Sequence, residues 1–417
     1  MVKPRLPRDI CVVCKGSRLL CGKPRCPILV KVASFMPVKK VTLKREFFGS
    51  SPPSFFVGHY GYPMVSAGPM VPPITGRNVE VFDKVEDWFG KSIDEILRYR
   101  SVLIRASVKV DVKGERGGGR ILSEAREAAM SARPVDVEVS LERTPRFKVE
   151  FDSHSQPMGP MAPLREFKIA EEPLVPRQVD KAIYDEDLKA EEAIAYLYFE
   201  GIPVSYVSRL LSAALLGTGR GRRLVPTRWA ITATDDVISR RIIAKVKLYP
   251  EIDKILVFRE SYLDNHFLIV MVPHSWGFEQ LEAWYPGTAW LMRDAAPVVV
   301  GDYEDHRGRK RYASNVAGAY YAARLAVAEY LARVRRQALT IVFREVRPGY
   351  IMPLGVWVIR ETVRNALRRK PFVFETLSEA LSFVKSNLKV EWKYWESKSK
   401  LLDVLLKQKT LKEFSAV

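Results

Sequence analysis

The sequence predicts a mixed α+β or α/β protein with a cysteine-rich N-terminal module and a helical C-terminus. Apolar and polar residues alternate in short segments between positions 101 and 151, which is typical of half-buried strands. Helical and strand-like segments then alternate over the second half of the chain, as they do in α/β and α+β domains. All four cysteines fall between positions 11 and 26, which sets that segment apart.

The chain divides by pattern into four predicted parts. Residues 1–35 form the cysteine module, and residues 36–163 form a β-rich domain that ends in a Gly- and Pro-containing stretch. Residues 164–375 form an α/β domain, and residues 376–417 form a helical tail. The aromatic, Gly- and Pro-rich segment 50–75, which includes His59, is expected to be an irregular loop packed against the body.

Hydrophobic periodicity places the elements within these parts. Strands are predicted over residues 101–112, 135–141, 147–151, 255–259, 267–272, 297–300 and 339–346. Helices are predicted over residues 121–132, 188–199, 204–215, 317–336, 356–369, 377–388 and 392–406.

Composition favours an ordered protein with a polyanionic partner. The 417-residue chain is 47% hydrophobic and carries a net charge of +19, so it has enough apolar side chains for more than one core. Residues 1–50 hold twelve basic and two acidic side chains, and residues 333–370 hold ten and two. Such basic blocks bind nucleic acid by neutralising phosphates and releasing counterions. General solubility and a membrane surface are the alternative interpretations.

Several features predict a cytoplasmic protein without a membrane partner. The sequence contains no run of about 18 apolar residues that would span a membrane, and it shows no signal peptide. Four clustered cysteines in a chain of this length are not the pattern of a secreted, disulfide-rich protein.

The cysteine pattern is Cys11-x2-Cys14-x6-Cys21-x4-Cys26. The Cys-x-x-Cys pair places two thiolates on one tight turn, and four thiolates at short range suit a tetrahedral ion. Zinc is therefore the predicted metal. An iron–sulfur cluster is the alternative, since Pro27 follows the last cysteine as it often does in such sites. Cysteines that are free or paired in disulfides are a third interpretation.

The last ten residues contain Gln408, Leu411 and Phe414 at positions i, i+3 and i+6. This spacing matches the peptides that bind PCNA-type sliding clamps, in which one helical turn places the leucine and the aromatic residue in an apolar pocket. Ser415 stands where many such peptides carry a second aromatic residue, which predicts a weaker complex. An ordinary amphipathic helix is the alternative, since residues 401–406 already form an apolar stripe.

The segment GRGRRLVPTRW combines basic residues with a tryptophan. We expect its cations to contact phosphates of DNA and Trp229 to stack on a base. A solvated basic loop packed by a core tryptophan is the alternative. The predicted phosphate-binding residues are Arg220, Arg222, Arg223 and Arg228.

Acidic residues cluster at three places that would suit a divalent metal for nuclease or nucleotide chemistry. Each cluster also has a structural interpretation: a helix N-cap for the first, an exposed helix face for the second and a turn for the third. The clusters are Asp235 and Asp236; Glu279 and Glu282; and Asp302, Glu304 and Asp305.

Several stretches together resemble the archaeal Nre proteins: CVVCKGSRLLCGKPRC, FFVGHYGYPMVSAGPM, RLVPTRWAITATDD, VPHSWGFEQLEAWYPGTAW and REVRPGYIMPLGVWVIRETVR. The resemblance runs from about Cys11 to Arg369, and the terminal peptide joins it. It implies a DNA repair protein that binds PCNA through that peptide and a metal through the four cysteines, and it implies no catalytic mechanism. A metal-dependent nuclease and an RNA-associated zinc protein are the alternative functions.

Overall fold

The computed structural model describes residues 14, 18–39, 44–113, 119–146, 158–288, 291 and 295–407. They form two compact units. One unit comprises the described residues of Pro27–Ile238, and the other comprises those from Ser239 to Lys407 together with those up to Cys26. Each unit is built on one six-stranded sheet, so the predicted α+β class is confirmed. The four-part division of the chain stays a prediction.

The first unit is built on a mixed sheet. Its strands are β1 (Glu46–Ser51), β2 (Phe55–Val57), β3 (Met64–Val71), β4 (Ile104–Asp111), β5 (Val135–Leu141) and β6 (Met161–Ile169). They lie in the order β1-β5-β6-β4-β3-β2. Strands β4 and β6 are parallel, and the other neighbours are antiparallel.

The chain up to Val246 also forms helices, before, between and after these strands in sequence. They are α1 (Pro27–Lys39), α2 (Ile93–Val102), α3 (Gly119–Ala129), α4 (Arg177–Tyr184), α5 (Ala190–Phe199), α6 (Val204–Ser212) and α7 (Thr227–Val246). Helix α2 begins at a capping box in which the Ser92 hydroxyl and the Glu95 carboxylate each satisfy a backbone N–H of the first turn. The residues of α7 from Ser239 onward belong to the second unit.

The segment 50–75 is not the irregular loop that its composition predicts, because it contains β2 and β3. Gly68 shows why glycine is compatible with a strand here. A Cβ atom at this position would lie 2.2 Å from the carbonyl oxygen of Ala106 on the neighbouring strand. Glycine therefore permits a close approach of two strand backbones, although from the sequence it is more readily interpreted as a turn residue.

The second unit has its own mixed sheet. Its strands are β7 (Ile255–Tyr262), β8 (Asn265–Val272), β9 (Gly277–Trp284), β10 (Val298–Glu304), β11 (Leu339–Val346) and β12 (Phe372–Phe374). They lie in the order β10-β9-β11-β8-β7-β12. Strands β9 and β11 are parallel, whereas the other neighbours are antiparallel.

Helices pack on both faces of the second sheet. They are α8 (Gly318–Val334), α9 (Trp357–Ala366), α10 (Leu377–Asn387), α11 (Trp392–Glu396) and α12 (Lys400–Lys407). On one face, the ring of Tyr320 in α8 meets Phe278 of β9 edge-on at 5.1 Å between centroids. On the other face, Trp395 of α11 meets Phe343 of β11 at 5.6 Å. The predicted helical C-terminus is thus part of the core of this unit.

A buried carboxylate divides the single helix predicted over 392–406 into α11 and α12. Glu279 of β9 is 1% exposed, and it accepts hydrogen bonds from the Lys400 amide (2.7 Å), the Leu401 amide (3.1 Å) and the Ser399 hydroxyl. These amides lie at the start of α12, where they have no partner within the helix. Burial raises the pKa of Glu279, and the three donors partly offset that effect.

We expect Glu279→Ala to lower the free energy of unfolding by about 1–3 kcal/mol, because it leaves buried N–H groups without an acceptor. Chemical denaturation monitored by circular dichroism measures the change. The control is Glu391→Ala, since this carboxylate is exposed and pairs with Lys393. Equal losses for the two variants would contradict the anchoring role of Glu279.

Candidate nucleic-acid interface

The predicted DNA-binding segment is a loop that is fixed to the body of the first unit and continues into helix α7 at Thr227. The Leu224 amide donates to the Val112 carbonyl (2.7 Å), and the Val225 amide donates to the Ser212 carbonyl (3.2 Å). These bonds hold the loop at two points next to helix α7. Its solvent-exposed cations are Arg220, Arg223 and Arg228.

Arg222 differs from these three cations. Its side chain is half-buried, and its guanidinium donates to the carbonyls of Gly217 (2.8 Å) and Ile183 (2.5 Å). These bonds connect the loop to the end of helix α4. We therefore assign Arg222 to holding the loop and the other three arginines to its open surface.

Trp229 lies in the first turn of α7 and is 48% exposed. The interpretation of this residue as a core tryptophan is therefore wrong. A hydrogen bond from the Val57 amide to the Thr227 hydroxyl (2.9 Å) connects the start of the helix to β2. The ring of Tyr62, from the turn between β2 and β3, lies 5.3 Å from that of Trp229 at an angle of 54°.

The turn between β2 and β3 was expected to pack against the body, but its tyrosines face solvent. Tyr60 is 68% exposed and Tyr62 is 50% exposed. The Gly58 amide donates to the Ser66 carbonyl across the hairpin at 2.8 Å, so the turn is an ordered end of the two strands. Aromatic content alone did not distinguish this solvent-facing turn from a packed loop. We call the exposed rings of Tyr60, Tyr62 and Trp229 the aromatic platform.

Part of the basic block at residues 333–370 is neutralised by carboxylates of the second unit. Arg344 pairs with Glu282 at 2.7 Å, and Arg364 pairs with Glu329 at 2.6 Å. Both carboxylates lie outside the block, so counting charges within it overestimates the positive charge that this region presents to a partner.

Two of the predicted metal-binding carboxylates form buried ion pairs. Glu282 accepts hydrogen bonds from Arg344 and from the indole N–H of Trp284, both at 2.7 Å. Glu304 likewise accepts from Arg324 at 2.7 Å and from the indole N–H of Trp276 at 3.0 Å. Glu279 and Glu282 lie in β9, so the interpretation of an exposed helix face is wrong for both.

Two further carboxylates, Asp302 and Asp305, accept hydrogen bonds from the residues around them. Asp302 accepts from the amides of Asn315 (2.9 Å) and Val316 (2.8 Å) and from Arg309 (3.1 Å). Asp305 accepts from the Arg307 amide at 2.8 Å, as the turn interpretation predicts, but Asp302 and Glu304 lie in β10, so that interpretation is wrong for them. Asp235 and Asp236 lie inside α7, so neither is its N-cap.

The part of the chain that the structure describes contains no group of three or more His, Cys, Asp or Glu side chains that could hold a metal ion. The carboxylates therefore do not converge on one site within those residues.

The cysteine module is described only in part. Cys14 is buried, Cys21 and Cys26 are half-buried, and Cys11 lies outside the described residues. Gly22 adopts φ +76° beside Cys21, and its amide donates to the Leu19 carbonyl at 2.8 Å, so the chain turns tightly there. The three described cysteines do not by themselves form a metal-binding group.

The predicted clamp peptide, with Gln408, Leu411 and Phe414, also lies outside the described residues. Helix α12 ends at Lys407, one residue before it. Leu401 and Leu402 of this helix are buried in the second unit, so the attachment point of the peptide is fixed. None of the helices that the structure describes has the length and apolar character of a membrane span.

Two family models match the sequence. The model described as Archaeal Nre, N-terminal, matches residues 20–291, and the model described as Archaeal Nre, C-terminal, matches residues 304–414. No solved structure matches the chain.

Three known proteins are similar over most of their length. DNA repair protein NreB of Archaeoglobus fulgidus is 41% identical over 404 residues, which cover 97% of this chain and 99% of that protein. DNA repair protein NreA of the same organism is 40% identical over 387 residues, covering 93% and 95%. DNA repair protein NreA of Haloferax volcanii is 36% identical over 352 residues, covering 83% and 84%.

Proposed function

This chain belongs to the archaeal Nre family, and from that membership we propose that it acts in DNA repair as a DNA-binding factor recruited by a PCNA-type sliding clamp. The names of its three relatives support the repair role. Glu282, Asp302 and Glu304 pair with arginines, so these three carboxylates do not favour the nuclease alternative.

One surface of the first unit carries the DNA-binding part of the proposal. Arg223 and Arg228 are exposed on either side of a segment held to the body by backbone hydrogen bonds. Lys113, which directly follows Val112, is also exposed. Cations on an ordered loop can neutralise DNA phosphates without a large loss of backbone freedom. The proposed contacts are non-specific, since they involve phosphates and not base edges.

The double variant Arg223→Ala/Arg228→Ala should weaken binding to all DNA sequences similarly and reduce its dependence on salt. Each lost phosphate contact removes about 0.9 from the slope of log K against log salt concentration for duplex DNA. Fluorescence anisotropy with labelled duplex at several salt concentrations measures both effects.

The matched control for this experiment is Arg165→Ala, because Arg165 is an exposed arginine of the same unit that pairs with Glu46. An unchanged slope in the double variant, or an equal change in the control, would exclude this loop as the phosphate-binding surface.

We propose that Gln408, Leu411 and Phe414 bind the clamp. The apolar side chains at i+3 and i+6 would each contribute about 1.5–3 kcal/mol on burial, and ordering the peptide takes back part of that gain. We therefore expect micromolar affinity for the full chain. A chain ending at Lys407 should not bind, although it retains helix α12 and its Asp403–Lys407 ion pair.

Calorimetry with purified clamp measures this difference. Phe414→Ala should reduce the affinity most, because aromatic residues dominate such interfaces, whereas Ser415→Ala is the neighbouring control. Equal affinity of the truncated and full chains would show that the clamp, if bound, contacts another surface.

We propose that Cys11, Cys14, Cys21 and Cys26 hold one structural zinc ion. The tight turn at Gly22 and the thiolate chemistry of the four donors are suited to it. Such an ion would crosslink the segment, and its binding energy would contribute to local folding.

Elemental analysis of the purified protein should therefore give one zinc per chain, and Cys14→Ser should lose the metal and lower the unfolding temperature. A coloured protein containing iron would identify the cluster alternative instead. A wild-type protein that contains no metal as purified, and whose unfolding temperature equals that of Cys14→Ser, would contradict both the zinc site and the iron–sulfur cluster.

A further inference from the structure

The rings of the aromatic platform have no role in the proposed phosphate contacts. Tyr60, Tyr62 and Trp229 expose between 48% and 68% of their surface, although large aromatic side chains usually contribute more to stability when they are buried. Three tryptophans of this chain follow that tendency, since Trp88, Trp276 and Trp395 are at most 1% exposed, whereas Tyr184 and Phe199 are exposed as well. What sets the platform apart is that two exposed rings, Tyr62 and Trp229, lie against each other, and such a surface can bind a ligand through its ring faces.

Two separate elements hold the platform in position. Tyr60 and Tyr62 come from the ordered turn between β2 and β3, and Trp229 comes from the first turn of α7. The hydrogen bond from Val57 to Thr227 joins these elements close to the rings. The platform is thus formed before any ligand binds, which lowers the entropic cost of binding.

The platform has cations beside it in sequence and structure. Arg228 directly precedes Trp229, and Arg223 lies on the segment whose Leu224 amide is bonded to Val112. One carboxylate, Asp111, is also near and accepts a hydrogen bond from the Lys113 amide. Exposed rings flanked by cations are the combination that binds single-stranded nucleic acid, where bases stack on the rings and cations follow the backbone.

We infer that the platform binds the unpaired bases of single-stranded DNA, with successive bases stacking on Tyr62 and Trp229. The inference rests on the proposed DNA-binding function and adds the form of DNA. In a duplex, each base is already stacked between its neighbours, so its faces are not available to the protein. The angle of 54° between the rings favours one base on each ring, because a single base between them would require parallel rings.

The experiment compares binding of a labelled 20-nucleotide single strand and a duplex of the same sequence by fluorescence anisotropy. Tyr62→Ala and Trp229→Ala should each weaken single-strand binding roughly 5-fold to 100-fold, the range expected for loss of one stacked base. Duplex binding should change less than twofold, and Trp229→Phe should keep most of the single-strand affinity, because phenylalanine retains a ring for stacking.

Phe199→Ala is the matched control, since Phe199 is an aromatic residue of the same unit with 53% exposure at the end of α5, and it should bind like wild type. Thermal unfolding of every variant shows whether the fold is retained, which is expected for changes at exposed positions.

Equal losses for single strand and duplex would overturn the stacking inference but leave DNA binding through Arg223 and Arg228 in place. Unchanged single-strand binding in both alanine variants would also overturn it. If single-stranded RNA of the same sequence bound more tightly than single-stranded DNA, the inference that the ligand is DNA would be overturned in favour of RNA. A wild-type protein that binds neither form of DNA would refute the proposed function, and the stacking inference with it.

Discussion

A buried ion pair between two neighbouring strands fixes the strand register in the sheet of the second unit. Glu282 of β9 and Arg344 of β11 stand directly opposite each other in the parallel register, and their charged atoms are 2.7 Å apart with almost no access to solvent. Either charge without its partner would cost about 3–5 kcal/mol. A slip of one residue would also turn the side chains to opposite faces, so a single register is compatible with the core. That register sets the position of Glu279 in β9 and, through it, the start of helix α12.

The sequence predicts those elements whose signals are local. Helix α8 and strand β11 were predicted almost to their observed ends, because apolar periodicity along one segment determines each of them. Strand β9 was not predicted, since three of its eight residues are Glu or Gln and such a segment does not look buried. The partner that makes burial possible, Arg344, lies 62 positions further along the chain. Tertiary partners at that distance leave no local signal.

The same physical limit applies to the candidate interface. The sequence identifies the correct loop, but it does not distinguish Arg222, whose donors are taken by backbone carbonyls, from Arg223, which faces solvent. It also counts Arg344 and Arg364 as available positive charge, although carboxylates from other elements neutralise both. The proximity of Tyr62 to Trp229 depends on the pairing of β2 with the start of α7, which no spacing of residues along the chain reveals.

Because Trp229 is exposed, its intrinsic fluorescence can report on changes at this surface. Among the described tryptophans, Trp88, Trp276 and Trp395 are enclosed, whereas about half of Trp229 faces water. Indole emission shifts to longer wavelength in water, and a neutral quencher in solution collides mainly with exposed rings. Of the emission from the described tryptophans, the long-wavelength, quencher-sensitive part therefore comes chiefly from the first turn of α7. Events at this surface can be followed in time on the unlabelled, unmodified protein.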